Sequence, residues 1–211
     1  MSEPSIATSA DYADALIVAR RAKHWLFLIL LLILLVHMSL FFVARYTNVF
    51  PSIAMSSTTV PTSQPTRVSE EFHYLTALTT FLGTILPPVL ALVLLIIVNI
   101  MLVGRLIGVA RVTSAYIWSL LLALLLFPWQ AFLGKVTFYS GDFRIPGVLY
   151  TWDELVQQAR FPTQPIELAI VKWSRFVVFP LLTLIVLMMI QSKSNRGLRQ
   201  ALGESTPEGI A

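Results

Sequence analysis

Residues 25–44 read WLFLILLLILLVHMSLFFVA, from Trp25 to Ala44, with no charged side chain and one imidazole, His37. A helix rising about 1.5 Å per residue carries such a run across the ~30 Å hydrocarbon core of a bilayer. Three further stretches repeat the pattern: Leu75–Val103, Val112–Gly134 and, interrupted by Arg175, Trp173–Ile190. The sequence therefore predicts an all-α membrane protein with four transmembrane helices. Residues 1–24 form a cytoplasmic N-terminal segment, 25–190 the transmembrane domain with outer loops 45–74 and 135–172, and 191–211 a cytoplasmic tail.

Composition agrees. Of 211 residues, 56% are hydrophobic and 12% charged, half the charge of a typical soluble domain. The formal net charge of +4 fits cations flanking the spans and does not imply a nucleic-acid partner. Cysteine is absent, which excludes disulfides, thiolate metal sites and cysteine nucleophiles. Arg20, Arg21 and Lys23 before an apolar run resemble the start of a signal peptide. The long preceding segment and the run's continuation to Ala44 favour a retained helix.

Orientation rests on Lys and Arg. With the N-terminus inside, the inner segments hold Arg20, Arg21, Lys23, Arg105, Arg111, Lys193, Arg196 and Arg199. The outer ones hold Arg45, Arg67, Lys135, Arg144, Arg160, Lys172 and Arg175. The inner set is denser, and Arg105 and Arg111 lie in a very short loop, where the positive-inside bias acts most strongly. Both termini are expected in the cytoplasm, with the protein in the plasma (inner) membrane.

The loops differ in character. Residues 46–68 are rich in Ser, Thr and Pro and bury little, and Ser69-Glu70-Glu71 reads as a helix start with acids at the positive end of the dipole. The second outer loop carries Phe138, Tyr139, Phe143, Tyr150 and Trp152. Thr151 and Glu154 match a capping box, and Trp152, Leu155, Val156 and Ala159 follow at helical spacing. A short amphipathic helix over residues 152–160 is expected, with Pro162 and Pro165 beyond it. Trp25, Trp129, Trp152 and Trp173 fall at membrane boundaries, where indoles prefer to sit. Trp118 lies deeper and reads as a packing residue, and Asn99 as an interhelical hydrogen bond.

Catalytic signatures such as H-E-x-x-H, G-x-S-x-G, a P-loop or a dinucleotide fingerprint are missing from the chain. His24, His37 and His73 lack metal-ligand spacing, so neither metal nor cofactor is implied. Gly104 and Gly108 form a G-x-x-x-G pair at the membrane edge, a weak match to a dimerisation motif. The informative polar residue is His37, which must find a partner inside the apolar span. At its depth lie helix breakers, Pro87, Pro88, Pro128 and Pro180, which free the carbonyls of Gly83, Thr84, Leu124 and Phe176. Thr76, Thr80 and Thr84 share a helix face, and Lys172 and Arg175 place two cations at the outer end of the fourth span.

These residues define a candidate outward-facing polar pocket of His37, Thr80, Thr84, Lys172 and Arg175. It suits an anionic small molecule, a lipid headgroup or a proton. The same residues fit plain helix packing, with Lys172 and Arg175 snorkelling outward, and that reading is the simpler one. The expected function is non-enzymatic: a scaffold, anchor or accessory subunit of a membrane assembly, with the lipid bilayer and other membrane protein subunits as partners. The alternative is a small transporter or channel component working through the pocket around His37.

Overall fold

The computed structural model describes residues 9–46, 67–129, 148–152, 154–155, 170 and 173–204. Every regular element among them is helical. Helix α1 spans Ser9–Tyr46, α2 Arg67–Val103 and α3 Val109–Leu125. A π-helical turn, Ser174–Val178, leads directly into α4, Phe179–Ala201. Three of these helices are long and apolar enough to cross a bilayer, and α3, at 17 residues, is a shorter apolar helix.

Helix α1 is one unbroken rod of 38 residues, about 57 Å at the standard rise. The apolar run 25–44 accounts for its second half, and the first half continues the same helix. Helix α2 starts at Arg67, two residues before the acidic start signal. It stays helical through Pro87 and Pro88. Helix α3 ends at Leu125 because the residue before a proline is pushed out of the helical region, here Phe127 before Pro128. Its last turn closes with Leu126 N–H on the Leu122 carbonyl at 3.0 Å. The expected third span therefore loses its helix at 126–128, and its last part, residues 130–134, lies outside the described residues.

At Pro180 the chain solves the missing donor differently. The preceding turn winds as a π-helix, in which the Phe179 N–H reaches back five residues to the Ser174 carbonyl. Such turns insert an extra residue into the helical ladder and re-aim the side chains they carry. Arg175 and Phe176 are the buried residues of this one.

Burial follows a period of 3.5 rather than 3.6. In α1 the buried residues Leu16, Lys23, Leu30, His37 and Ala44 recur every seven positions, with Phe27, Leu34 and Phe41 between them. Helix α4 repeats it with Thr183, Leu187, Ile190, Ser194 and Gly197, and α3 with Val112, Ala115, Ser119 and Leu122. A strict seven-residue repeat is the signature of left-handed knobs-into-holes packing. The opposite faces are apolar too: Leu32, Phe81, Leu92, Ile117 and Ile185 are all exposed, as lipid contact requires.

The chain falls into two compact units, one of residues 1–31, 85–126 and 182–211, the other of 32–84 and 127–181. Along the sequence the divisions fall next to Pro87, Pro128 and Pro180. The first unit packs Leu30, Leu94, Ile97, Met101, Val112 and Leu187. Gly108 and Gly197 allow a close approach within it: a Cβ on Gly108 would stand 2.6 Å from the Gly197 carbonyl oxygen, and one on Gly197 2.6 Å from Val112 Cγ2. The Gly104/Gly108 pair thus contributes one glycine to packing within the chain. Lys193 donates to Ser114 Oγ at 2.9 Å and lies 5.5 Å from the Trp118 ring centre. Asn99 faces outward and donates to the Leu95 carbonyl of its own helix at 2.9 Å, so the expected bond to another helix is replaced by a local one.

Candidate functional site

The second unit gathers polar groups around residues 148–152 and 154–155. Its core is Leu40, Phe41, Ala44, Tyr150, Trp152, Leu155 and Phe176. Trp152, expected at the lipid boundary, is buried and stacks on Phe72 at 5.7 Å. The stacked ring partner accounts for the burial of its large apolar surface. Leu149 presses on α2 at Gly83, where a Cβ would stand 3.0 Å from Leu149 Cδ2. Phe41 stacks on Phe176 with centroids 4.8 Å apart and planes 4° from parallel.

His37 is fully buried. Its Nδ1 lies 3.1 Å from the Ile33 carbonyl oxygen. A carbonyl only accepts, so Nδ1 carries the proton and Nε2 presents a lone pair. That lone pair faces the Thr80 hydroxyl at 3.4 Å. The same hydroxyl is 3.1 Å from the Tyr150 carbonyl, and its single proton serves these two acceptors. The Tyr150 ring meets the imidazole edge-on at 4.9 Å, and its hydroxyl donates to the His37 carbonyl. Burial pushes the pKa of the Tyr150 hydroxyl up, so it remains a donor across the physiological range.

Of the threonine face only Thr80 reaches another element. Thr76 donates to Phe72 O at 2.8 Å, Thr79 to Leu75 O at 2.8 Å and Thr84 to Thr80 O at 2.9 Å, all one helical turn back on α2. Back-bonding of this kind satisfies a hydroxyl where water is absent.

Arg175 does not snorkel. Its side chain is 4% exposed and pairs with the Glu154 carboxylate, itself 3% exposed, while the guanidinium carbon lies 5.6 Å from the Phe176 ring centre. Phe176 in turn meets Tyr150 edge-on at 5.2 Å. A continuous set of contacts therefore runs from His37 and Thr80 through Tyr150 and Phe176 to Arg175 and Glu154. Lys172 lies outside the described residues.

Glu154 is the member that the sequence reading assigned elsewhere. Its N–H takes the Thr151 hydroxyl as a cap at 3.4 Å, and Leu155 N–H closes the first turn on the Thr151 carbonyl at 3.0 Å. Trp152, Glu154 and Leu155 are helical, while the remainder of the expected 152–160 helix lies outside the described residues. The carboxylate reaches Arg175. A signal was present: an arginine inside the fourth apolar run needs a counter-ion, and an acid in an aromatic-rich loop can supply one.

No group of three or more His, Cys, Asp or Glu residues that could hold a metal ion occurs among the described residues. The arrangement can clamp, and it can hold one proton on His37 Nδ1. Compared with known proteins, the chain matches no family model, no curated protein and no solved structure.

Proposed function

We propose that the protein is a non-enzymatic, multi-pass integral membrane component that anchors or scaffolds a larger membrane assembly, with four spans and both termini cytoplasmic. The observation that carries this reading is the closure of the outer polar cluster. His37, Tyr150, Glu154 and Arg175, the groups a solute would have to engage, are buried in contact with one another. Their work is to bind the segment 148–155 to the helices, which builds a stiff outer cap for partners to recognise. Other membrane subunits and the bilayer are the partners this suits.

Detergent extraction followed by sizing and chemical crosslinking tests the proposal. Crosslinked neighbours and a particle larger than the monomer are expected. A strictly monomeric species with no crosslinked neighbour sinks it.

One observation favours a second reading, a transporter or channel component. The π-turn and Pro180 interrupt the fourth apolar run beside a buried ion pair, and transporters often build their sites at such discontinuities. On that reading, His37→Ala and Arg175→Ala impair uptake or conductance per molecule of folded protein, beyond any loss in the amount that folds.

A further inference from the structure

Helix α1 carries Arg20, Arg21, Lys23 and His24 just before its apolar run begins at Trp25. Lys23 turns inward and donates to Ser194 Oγ at 2.8 Å and to Asn195 Oδ1 at 2.5 Å. The other three do not simply fan into solvent. Together with Ile17, Asn195 and Glu204 they line a groove of about 530 Å³ in the first unit, within the size range of small-ligand sites.

The lining has a definite chemistry. Asn195 Oδ1 is taken by Lys23, which leaves the amide N–H groups as what this side chain offers. Arg21 and His24 are exposed, and His24 Nδ1 lies 3.2 Å from Gln191 Nε2. The acid of the groove, Glu204, is bound by Arg20 Nη1 through both oxygens at 3.0 and 3.1 Å, with the two side chains 33% and 46% exposed. Apart from that carboxylate the groove presents cations and donors. Large apolar side chains stand on the same turns of α1: Ile17 is 47% exposed and Trp25 62%. The groove thus lies between the start of one apolar run and the end of another at Ile190, at the depth of lipid headgroups, with hydrophobic surface beside its cations.

We propose that this groove binds the phosphate of an anionic phospholipid, with Arg21, His24 and the Asn195 amide as its contacts and Arg20 drawn over from Glu204. The proposal rests on the membrane-spanning reading of α1 and is independent of the scaffold role. Ordinary positive flanks are solvated on all sides. This set is walled by two helices, and its one acid is paired in the free protein with the half-buried Arg20. A free phosphate shares the recognition chemistry but has no use for the apolar surface of Ile17 and Trp25, which suits a glycerol backbone and acyl chains.

The test uses the full chain in nanodiscs of phosphatidylcholine, alone or doped with phosphatidylglycerol, after carbonate extraction has established insertion. Lipid retained by the protein is read by native mass spectrometry. Wild type is expected to retain phosphatidylglycerol over phosphatidylcholine. Arg21→Ala lowers that retention about fivefold and Glu204→Gln raises it about fivefold, the effect of one charge near a membrane surface. Arg111→Ala, an exposed cation that does not line the groove, leaves it unchanged. Equal losses for Arg21→Ala and Arg111→Ala would reduce the effect to diffuse surface charge and overturn the site. Displacement of the lipid by inorganic phosphate, without discrimination between the two lipids, would assign the groove to a free anion and overturn the lipid. Release by carbonate would overturn the membrane reading itself, and this proposal with it.

Discussion

The Tyr150 hydroxyl donates its hydrogen bond to the main-chain carbonyl of His37, while the Tyr150 carbonyl accepts from Thr80 at 3.1 Å. One residue between the third and fourth apolar runs is thus tied to two different helices through its side chain and its backbone. The ring between these bonds packs on both His37 and Phe176.

Tyr150→Phe keeps the ring and removes only the hydroxyl. The His37 carbonyl retains its helical partner, so the expected loss is about 1 kcal/mol. Tyr150→Ala also removes the ring and loses about 3–5 kcal/mol. Denaturant titration in detergent micelles measures both. Equal losses for the two variants would show that the ring contributes nothing.

The Arg175–Glu154 pair gives a signed double-mutant cycle. Glu154→Leu or Arg175→Met alone strands a buried charge and is expected to destabilise by about 3–5 kcal/mol. The double replacement Glu154→Leu with Arg175→Met recovers most of that loss, because both desolvation terms vanish together. Unfolding midpoints of the three variants check this, and additive losses would contradict it.

Two glycines separate conformational strain from crowding. Gly203 has φ +70° and open space around it, so Gly203→Ala costs about 1 kcal/mol for the left-handed conformation alone. Gly108 has φ +95° and would also drive a Cβ to 2.6 Å from a backbone oxygen, which cannot move like a side-chain tip. Gly108→Ala is expected to lose about 3 kcal/mol or more. Thermal aggregation midpoints should rank Gly203→Ala far above Gly108→Ala.

Lys23 makes stability depend on pH. Burial first, and the neighbouring charge of Arg20 second, lower its pKa from 10.5 to about 7. Between those values the unfolded chain binds the proton and the folded chain does not, so stability rises with pH through this window. Below pH 7 the full penalty of a buried ammonium is present, and above about 10.5 it is gone. The slope contributed by this one group is at most about 1.4 kcal/mol per pH unit. The difference in denaturation midpoint between wild type and Lys23→Met, followed from pH 6 to about pH 10, isolates it. A difference that does not change with pH would refute the assignment.

Much of the helical layout is legible in the residues. The apolar runs at Trp25–Ala44 and Leu75–Val103 lie inside α1 and α2 because each must satisfy its own backbone groups where water is absent. Pro128 marks the end of α3 for a similarly local reason. Pro180 announces a disturbance, but whether it becomes a kink or a π-turn depends on what the re-aimed side chains can reach. His37 is recognisable as a residue in need of a partner, and Thr80 as a candidate lying at a similar depth.

Lys23 illustrates the opposite case. In sequence it is one of three flanking cations beside Arg20 and Arg21. Its position seven residues from both Leu16 and Leu30 places it in the buried stripe, a period that becomes visible only once the stripe is known to follow 3.5 residues. Glu154 shows the same limit from the acid's side: its local spacing marks a helix cap, and its carboxylate serves Arg175 from a distant element.

The amino-acid sequence by itself determined which segments are helical and apolar, where prolines disturb them and which polar residues stand inside them. These follow from backbone hydrogen bonding and side-chain transfer energies, which act within a few residues. Only the tertiary structure decided the partners: Tyr150 for His37, Glu154 for Arg175, Ser194 and Asn195 for Lys23, and Gly197 for Gly108. Each pairing joins residues that are remote along the chain, and its energy exists only after the packing of whole helices has brought the two groups within bonding distance.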